Sequence, residues 1–201
     1  MTETEHTQRF RRAIEEFDRA NADDPNFERV SGTLQAKELV YSQRMTATLD
    51  EFEPTAPEVV RLAARCQHIR RWTVPRSTYP EGRDGYRRWR SDLAQFHAET
   101  AADILTGVGY DADTVQRVQV LLRKERLKVD AEVQLLEDVA CLVFLTYYLP
   151  AFVEQHEELK VIEVLRKTWR KMSTRGQSVA LELDLPDDLR SLVGSAIAPV
   201  E

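Results

Sequence analysis

Apolar residues recur every three or four positions along most of this chain, the spacing of one face of an α-helix. Phe10, Ile14 and Phe17 form such a stripe from about Thr7 to Asn21, and Ala22-Asp23-Asp24-Pro25-Asn26 ends it with turn chemistry. A second helix is predicted over Thr33–Phe52, with Leu34, Glu38, Tyr41, Met45 and Leu49 on neighbouring turns. Pro54 and Pro57 mark a break, and a third helix is predicted from Pro57 to Trp72. After an irregular stretch, Thr73 to Asp84, further helices are predicted over Tyr86–Thr106, Ala112–Lys124 and Val129–Leu149, the last closed by Pro150. Glu157–Ser173, stopped by Gly176, and a short Pro186–Val193 complete the series. No run alternates convincingly with period two, so the pattern predicts an all-α fold.

Length and composition keep this picture and tighten it. The 201 residues, 42% hydrophobic and 31% charged, fit one globular helical domain, ordered from about residue 7 to 195 with short polar tails. The apolar stretch Val139–Leu149 falls well short of the roughly twenty residues that span a bilayer, so no membrane partner is expected. The acidic, polar N-terminus is the opposite of a secretory leader, which makes a cytoplasmic location the expectation. Cys66 and Cys141 lie in apolar helical patterns and read as reduced core thiols.

Charge changes the picture more. The net charge of −6 disfavours general binding to nucleic acid, yet Arg65 to Arg90 holds eight arginines against two acids, with Trp72 and Trp89 among them. Arg71, Arg76, Arg83 and Arg90, interleaved with Trp72 and Tyr79, are the candidate contacts for a small anionic or phosphorylated ligand. Guanidinium groups grip phosphate or carboxylate bidentately, and aromatic rings stack on planar groups.

His68 and His97 flank the arginine-rich loop Thr73 to Asp84, whereas His6 and His156 sit in exposed-looking charged surroundings. His97 shares a stripe with Leu93, Ala101 and Ile104, and Arg90 lies two turns earlier on the same side. Asp138, beside Glu137 at the head of the most apolar helix, shares its face with Leu135, Cys141 and Leu145 and is expected to point inward. A buried carboxylate requires a cation, a metal or several donors. His68, His97, Asp138 and Glu137 are therefore the candidate catalytic residues. The first three are also the candidate ligands of a divalent zinc, manganese or iron ion, although no local metal motif is present. The same groups serve equally as general acid and base.

Several motifs carry a resemblance to a known family: Lys37 to Met45, Ala63 to Trp72, Pro75-Arg76, Tyr79-Pro80, Trp89-Arg90, Phe96-His97-Ala98-Glu99, Leu136 to Leu145 and Leu165 to Met172. With these, the chain from about Arg9 to Leu192 resembles an uncharacterised family of bacterial and fungal proteins, domain of unknown function 4202. More distantly it resembles the HD superfamily of helical metal-dependent phosphohydrolases. Tyr41-Ser42-Gln43-Arg44 stands where that superfamily has its early histidine, Gln67-His68 where it has its His-Asp pair, and Asp138 where it has its final aspartate. The resemblance implies a single HD-like multi-helix bundle and adds Arg44 to the anion contacts. Two of the superfamily's metal ligands are missing, so it implies architecture more than reaction. The leading expectation is an enzyme acting on a small phosphorylated or anionic substrate. The alternatives are a non-catalytic nucleotide or anion-binding module on a degenerate HD scaffold, and an RNA-associated protein using the arginine and tryptophan patch.

Overall fold

The computed structural model describes residues 3–197, which are predominantly helical, as the periodicity predicts. The chain forms two compact units, Met1–Glu125 and Arg126–Glu201.

In the first unit, α1 (Glu3–Ala22) buries Ala13 and Phe17. The chain then makes a feature the pattern did not predict, an antiparallel hairpin of β1 (Phe27–Val30) and β2 (Thr33–Ala36). Its two-residue turn places Ser31 at φ 49 and Gly32 at φ 85, the conformations a tight hairpin requires. Strands of four residues, with Phe27 and Leu34 exposed, leave too few alternations to register against a helical background. The second helix therefore starts at Lys37 (α2, Lys37–Phe52), four residues later than expected. Buried Asp24 fixes that start, its Oδ2 accepting the Glu38 amide at 3.0 Å, while Lys37 N–H donates to the Asn26 carbonyl.

Helix α3 (Glu58–Cys66) ends earlier than its apolar stripe suggests, because Arg70 turns left-handed at φ 49. Two short 3-10 turns, Arg71–Thr73 and Arg76–Thr78, lead to α4 (Gly82–Val108). A side chain at Gly85 would fall 1.9 Å from the Pro80 carbonyl oxygen, so only glycine lets this loop lie so close to the first turn of α4. Gly109, at φ 92, closes α4, and α5 (Ala112–Leu122) follows behind an Asp111 cap. Met45, Leu49, Val60, Leu62, Ile69, Leu105 and Leu121 make up the heart of this unit's core.

In the second unit, α6 (Ala131–Val143) is capped by Asp130, which accepts from the Glu132 and Val133 amides. Pro150 does not close this helix. The residues Phe144–Tyr148 form a π turn, and α7 (Leu149–Gln155) continues with Pro150 in its first turn. The wider turn, with Leu149 N–H bonded to Phe144 O, opens the ladder where a proline ring would otherwise meet a carbonyl. Ala131–Gln155 is long and apolar enough to cross a membrane by length and composition, but half of its most apolar window is buried here, as in a core helix. Helices α8 (Glu158–Lys171), α9 (Thr174–Glu182) and α10 (Asp187–Ile197) complete the unit around Leu136, Leu142, Leu149, Val161 and Leu165. Gly176 is not a stop; it lies inside α9. Cys66 and Cys141 are both buried thiols outside any disulfide.

Candidate functional site

The first unit contains a half-open cleft of about 470 Å³, built from the turn after α3, the middle of α4 and the end of α5. Its lining includes His68, Arg71, Arg90, His97, Arg123 and Lys124, with Asp92 as the only acid. A cavity of this size holds a small ligand.

The turn Gln67–Arg70 presents His68, and its shape is set from outside. The Arg70 amide donates to Oδ1 of Asn21, a fully buried residue at the end of α1. Holding a non-glycine residue left-handed costs on the order of 1–2 kcal/mol, so this conformation is imposed by its surroundings. His68 stacks on Tyr41 with ring centroids 3.9 Å apart, and the Gln67 amide reaches the Tyr41 hydroxyl at 3.3 Å. On its other side the His68 ring stacks on His97, centroids 5.9 Å apart. Its Nδ1 lies 3.3 Å from Oε2 of Glu38, leaving Nε2 on the opposite edge of the ring.

Glu38 also faces Arg71, 3.8 Å away. Burial pushes the Glu38 carboxyl up to about 7, outweighing the attraction of Arg71. The Arg71 guanidinium lies over the Trp89 ring, 5.0 Å from its centroid, and Trp89 in turn donates from Nε1 to the Val74 carbonyl. One of its terminal nitrogens, Nη1, is buried without a hydrogen-bond partner.

His97 is 4% exposed, and its Nδ1 donates to the Ile69 carbonyl at 2.8 Å. Burial holds both imidazoles neutral, with nearby Arg71 and Arg90 acting in the same direction. His68 is pushed well below its ordinary value, and His97 down to about 3. The result is a cationic cleft with two uncharged imidazoles in its wall.

Of the anion contacts read from the sequence, Arg71 and Arg90 line the cleft. Arg76 instead staples its own loop, donating to the carbonyls of Tyr79 and Pro80. Arg44 pairs with Glu28 at 2.6 Å, the Tyr79 hydroxyl donates to Asp92, Trp72 is half-buried, and Arg83 is exposed in the first turn of α4. Glu38, Trp89, Arg123 and Lys124 were not assigned to the site from the sequence. Glu38 showed only an inward stripe, and Arg123-Lys124 looks like an ordinary charge run.

Asp138 and Glu137 belong to the second unit. The Asp138 carboxylate accepts the Ser173 amide at 2.7 Å, the Ser173 hydroxyl at 2.5 Å and the Gln134 side-chain amide at 2.9 Å. These donors meet the needs of a buried carboxylate without a metal. Buried Glu137 lies 3.4 Å from the Lys171 ammonium. Among the described residues no group of three or more His, Cys, Asp or Glu side chains is placed to hold a metal ion.

The family described as Domain of unknown function (DUF4202) matches residues 11–193, most of the length, and the chain belongs to that family. No curated protein and no solved structure matches it.

Proposed function

We propose that the first unit is an enzyme site for a small phosphorylated or otherwise anionic substrate, with His68 as its proton carrier. The observation that supports this best is one convergence. Arg71, Arg90, Arg123 and Lys124 meet at a cleft whose wall also holds His68, an imidazole backed by the Glu38 carboxylate 3.3 Å from its Nδ1. The cations bind and orient the anion. Glu38 holds His68 through Nδ1, so that Nε2, on the far edge of the ring, takes a proton from an attacking water or hydroxyl. The distant HD-like resemblance points the same way, since Tyr41 of the early motif and His68 of the Gln67-His68 pair lie ring on ring.

The test is release of phosphate from a panel of phosphomonoesters and nucleotides, alongside melting curves with each. Turnover is expected to fall about 100-fold or more in His68→Gln, the scale of a lost general base, with binding nearly unchanged. Stabilisation by a panel member without any turnover would favour the alternative, a non-catalytic anion-binding module. Neither stabilisation nor turnover with any member removes the anion reading.

A further inference from the structure

Two atoms at the wall of the cleft have opposite needs. Arg71 Nη1 is a buried donor and His97 Nε2 a buried atom of the second imidazole, and neither has a hydrogen-bond partner. The state of His97 follows from geometry. Its Nδ1 sits 2.8 Å from the Ile69 carbonyl oxygen, which can only accept, so the ring proton is on Nδ1. A second proton on Nε2 would place a cation among Arg71, Arg90 and Lys124, in a buried position. Nε2 is therefore a bare lone pair, a pure acceptor beside the cleft's cations.

We propose that His97 is a specificity-determining residue, selecting oxyanions that carry a hydroxyl over those that carry none. This rests on the anion-binding reading of the cleft. An anion that keeps an O–H satisfies both orphaned atoms together, its charge on the guanidinium and its proton on the imidazole. A fully deprotonated oxyanion sets its own lone pair against that of Nε2 and leaves a buried acceptor unpaired. Sites built around a hydrogen bond reject analogues that cannot make it far more sharply than apolar pockets reject a missing methylene. The class of ligand is thus hydrogenphosphate, or a phosphate ester whose alcohol carries a neighbouring hydroxyl.

The experiment is calorimetric titration of the full chain at pH 7.5 and constant ionic strength with three dianions of similar size: hydrogenphosphate, sulfate and monofluorophosphate. Only the first has a hydroxyl. Hydrogenphosphate is expected to bind about tenfold or more tightly than the other two, the worth of one good hydrogen bond. His97→Phe is expected to erase the difference, hydrogenphosphate losing its acceptor while sulfate gains from removal of the opposed lone pair. If that variant does not fold, the three-ligand comparison on the natural chain decides alone. Equal binding of all three overturns the selectivity and leaves the anion site standing; binding of none overturns both. Glycerol phosphate compared with methyl phosphate then tells the two sources apart: a preference for glycerol phosphate puts the hydroxyl on the alcohol, and parity puts it on the phosphate itself.

Discussion

The Glu38 carboxylate is buried between an imidazole and a guanidinium, and burial wins the contest over its charge. Its folded pKa of about 7 lies above the ordinary 4.5, so the folded state holds the proton more tightly than the unfolded chain does. The stability this contributes is present below pH 4.5 and lost as pH rises through 7. Glu38→Gln is therefore expected to be more stable than the natural chain at pH 8, by on the order of 1–3 kcal/mol, and to lose that advantage at pH 5. Urea midpoints at the two pH values measure it, and no gain at pH 8 would mean that Arg71 fully compensates the burial. The histidines slope the other way. His97 titrates near 3 when folded and near 6.5 when exposed, so its contribution is present above pH 6.5 and lost as pH falls towards 3. His68 and His97 could be singled out in the sequence because they flank the arginine-rich loop. The partners that define their chemistry, Glu38 and the Ile69 carbonyl, lie 30 and 28 positions away along the chain, where no local spacing reveals them.

At the scale of elements, Asp138 is a fastener. It joins α6 to the start of α9, and Ser173, which it holds, itself caps α9 through a 3.0 Å bond from the Gly176 amide. Asp138→Ala leaves the Ser173 amide and hydroxyl without their acceptor, and the Gln134 amide with the Lys171 carbonyl alone, and is expected to cost about 2–4 kcal/mol. Gly176→Ala drives a methyl group to within 2.8 Å of the Asp138 carboxyl and is expected to destabilise the same joint. Denaturation followed by circular dichroism checks both, and an unchanged midpoint in Asp138→Ala would deny the joint its role. Periodicity alone showed that Asp138 faces inward. It did not show which donors it meets, because Ser173 lies 35 residues later at what reads as the ragged end of a helix. The hairpin was missed for a similar reason: its strands are shorter than the period needed to recognise them.

For the molecule as a whole, the all-α class follows from periodicity, while the division into two compact units does not. The boundary falls in Arg123–Asp130, where Lys124, Arg126 and Lys128 all take positive φ. Turn-reading looks for glycine, asparagine and proline, and this charged stretch has none of them. Charge acts at the same scale. On the anion-binding reading, a chain of net −6 that sets Arg71, Arg90, Arg123 and Lys124 around one cleft would attract small anions there and repel long polyanions elsewhere. Affinity for hydrogenphosphate is expected to fall several-fold between 20 and 200 mM NaCl, as roughly expected for a partly exposed site. Single-stranded RNA is expected not to compete. RNA that displaced phosphate, with a steep dependence on salt, would revive the nucleic-acid alternative.

The π turn at Phe144–Tyr148 carries one residue more than an α turn needs, and Pro150 sits just beyond it. Deleting a residue from a helix normally swings everything downstream by about 100° about the axis. Here the surplus is already absorbed, so loss of Tyr147 would close the ladder into plain α-helix and keep α7 in phase. It would also restore the carbonyl that a proline ring cannot tolerate. Removing Tyr147 should therefore be damaging alone and mild together with Pro150→Ala, a shortened chain rescued by relaxing a neighbour.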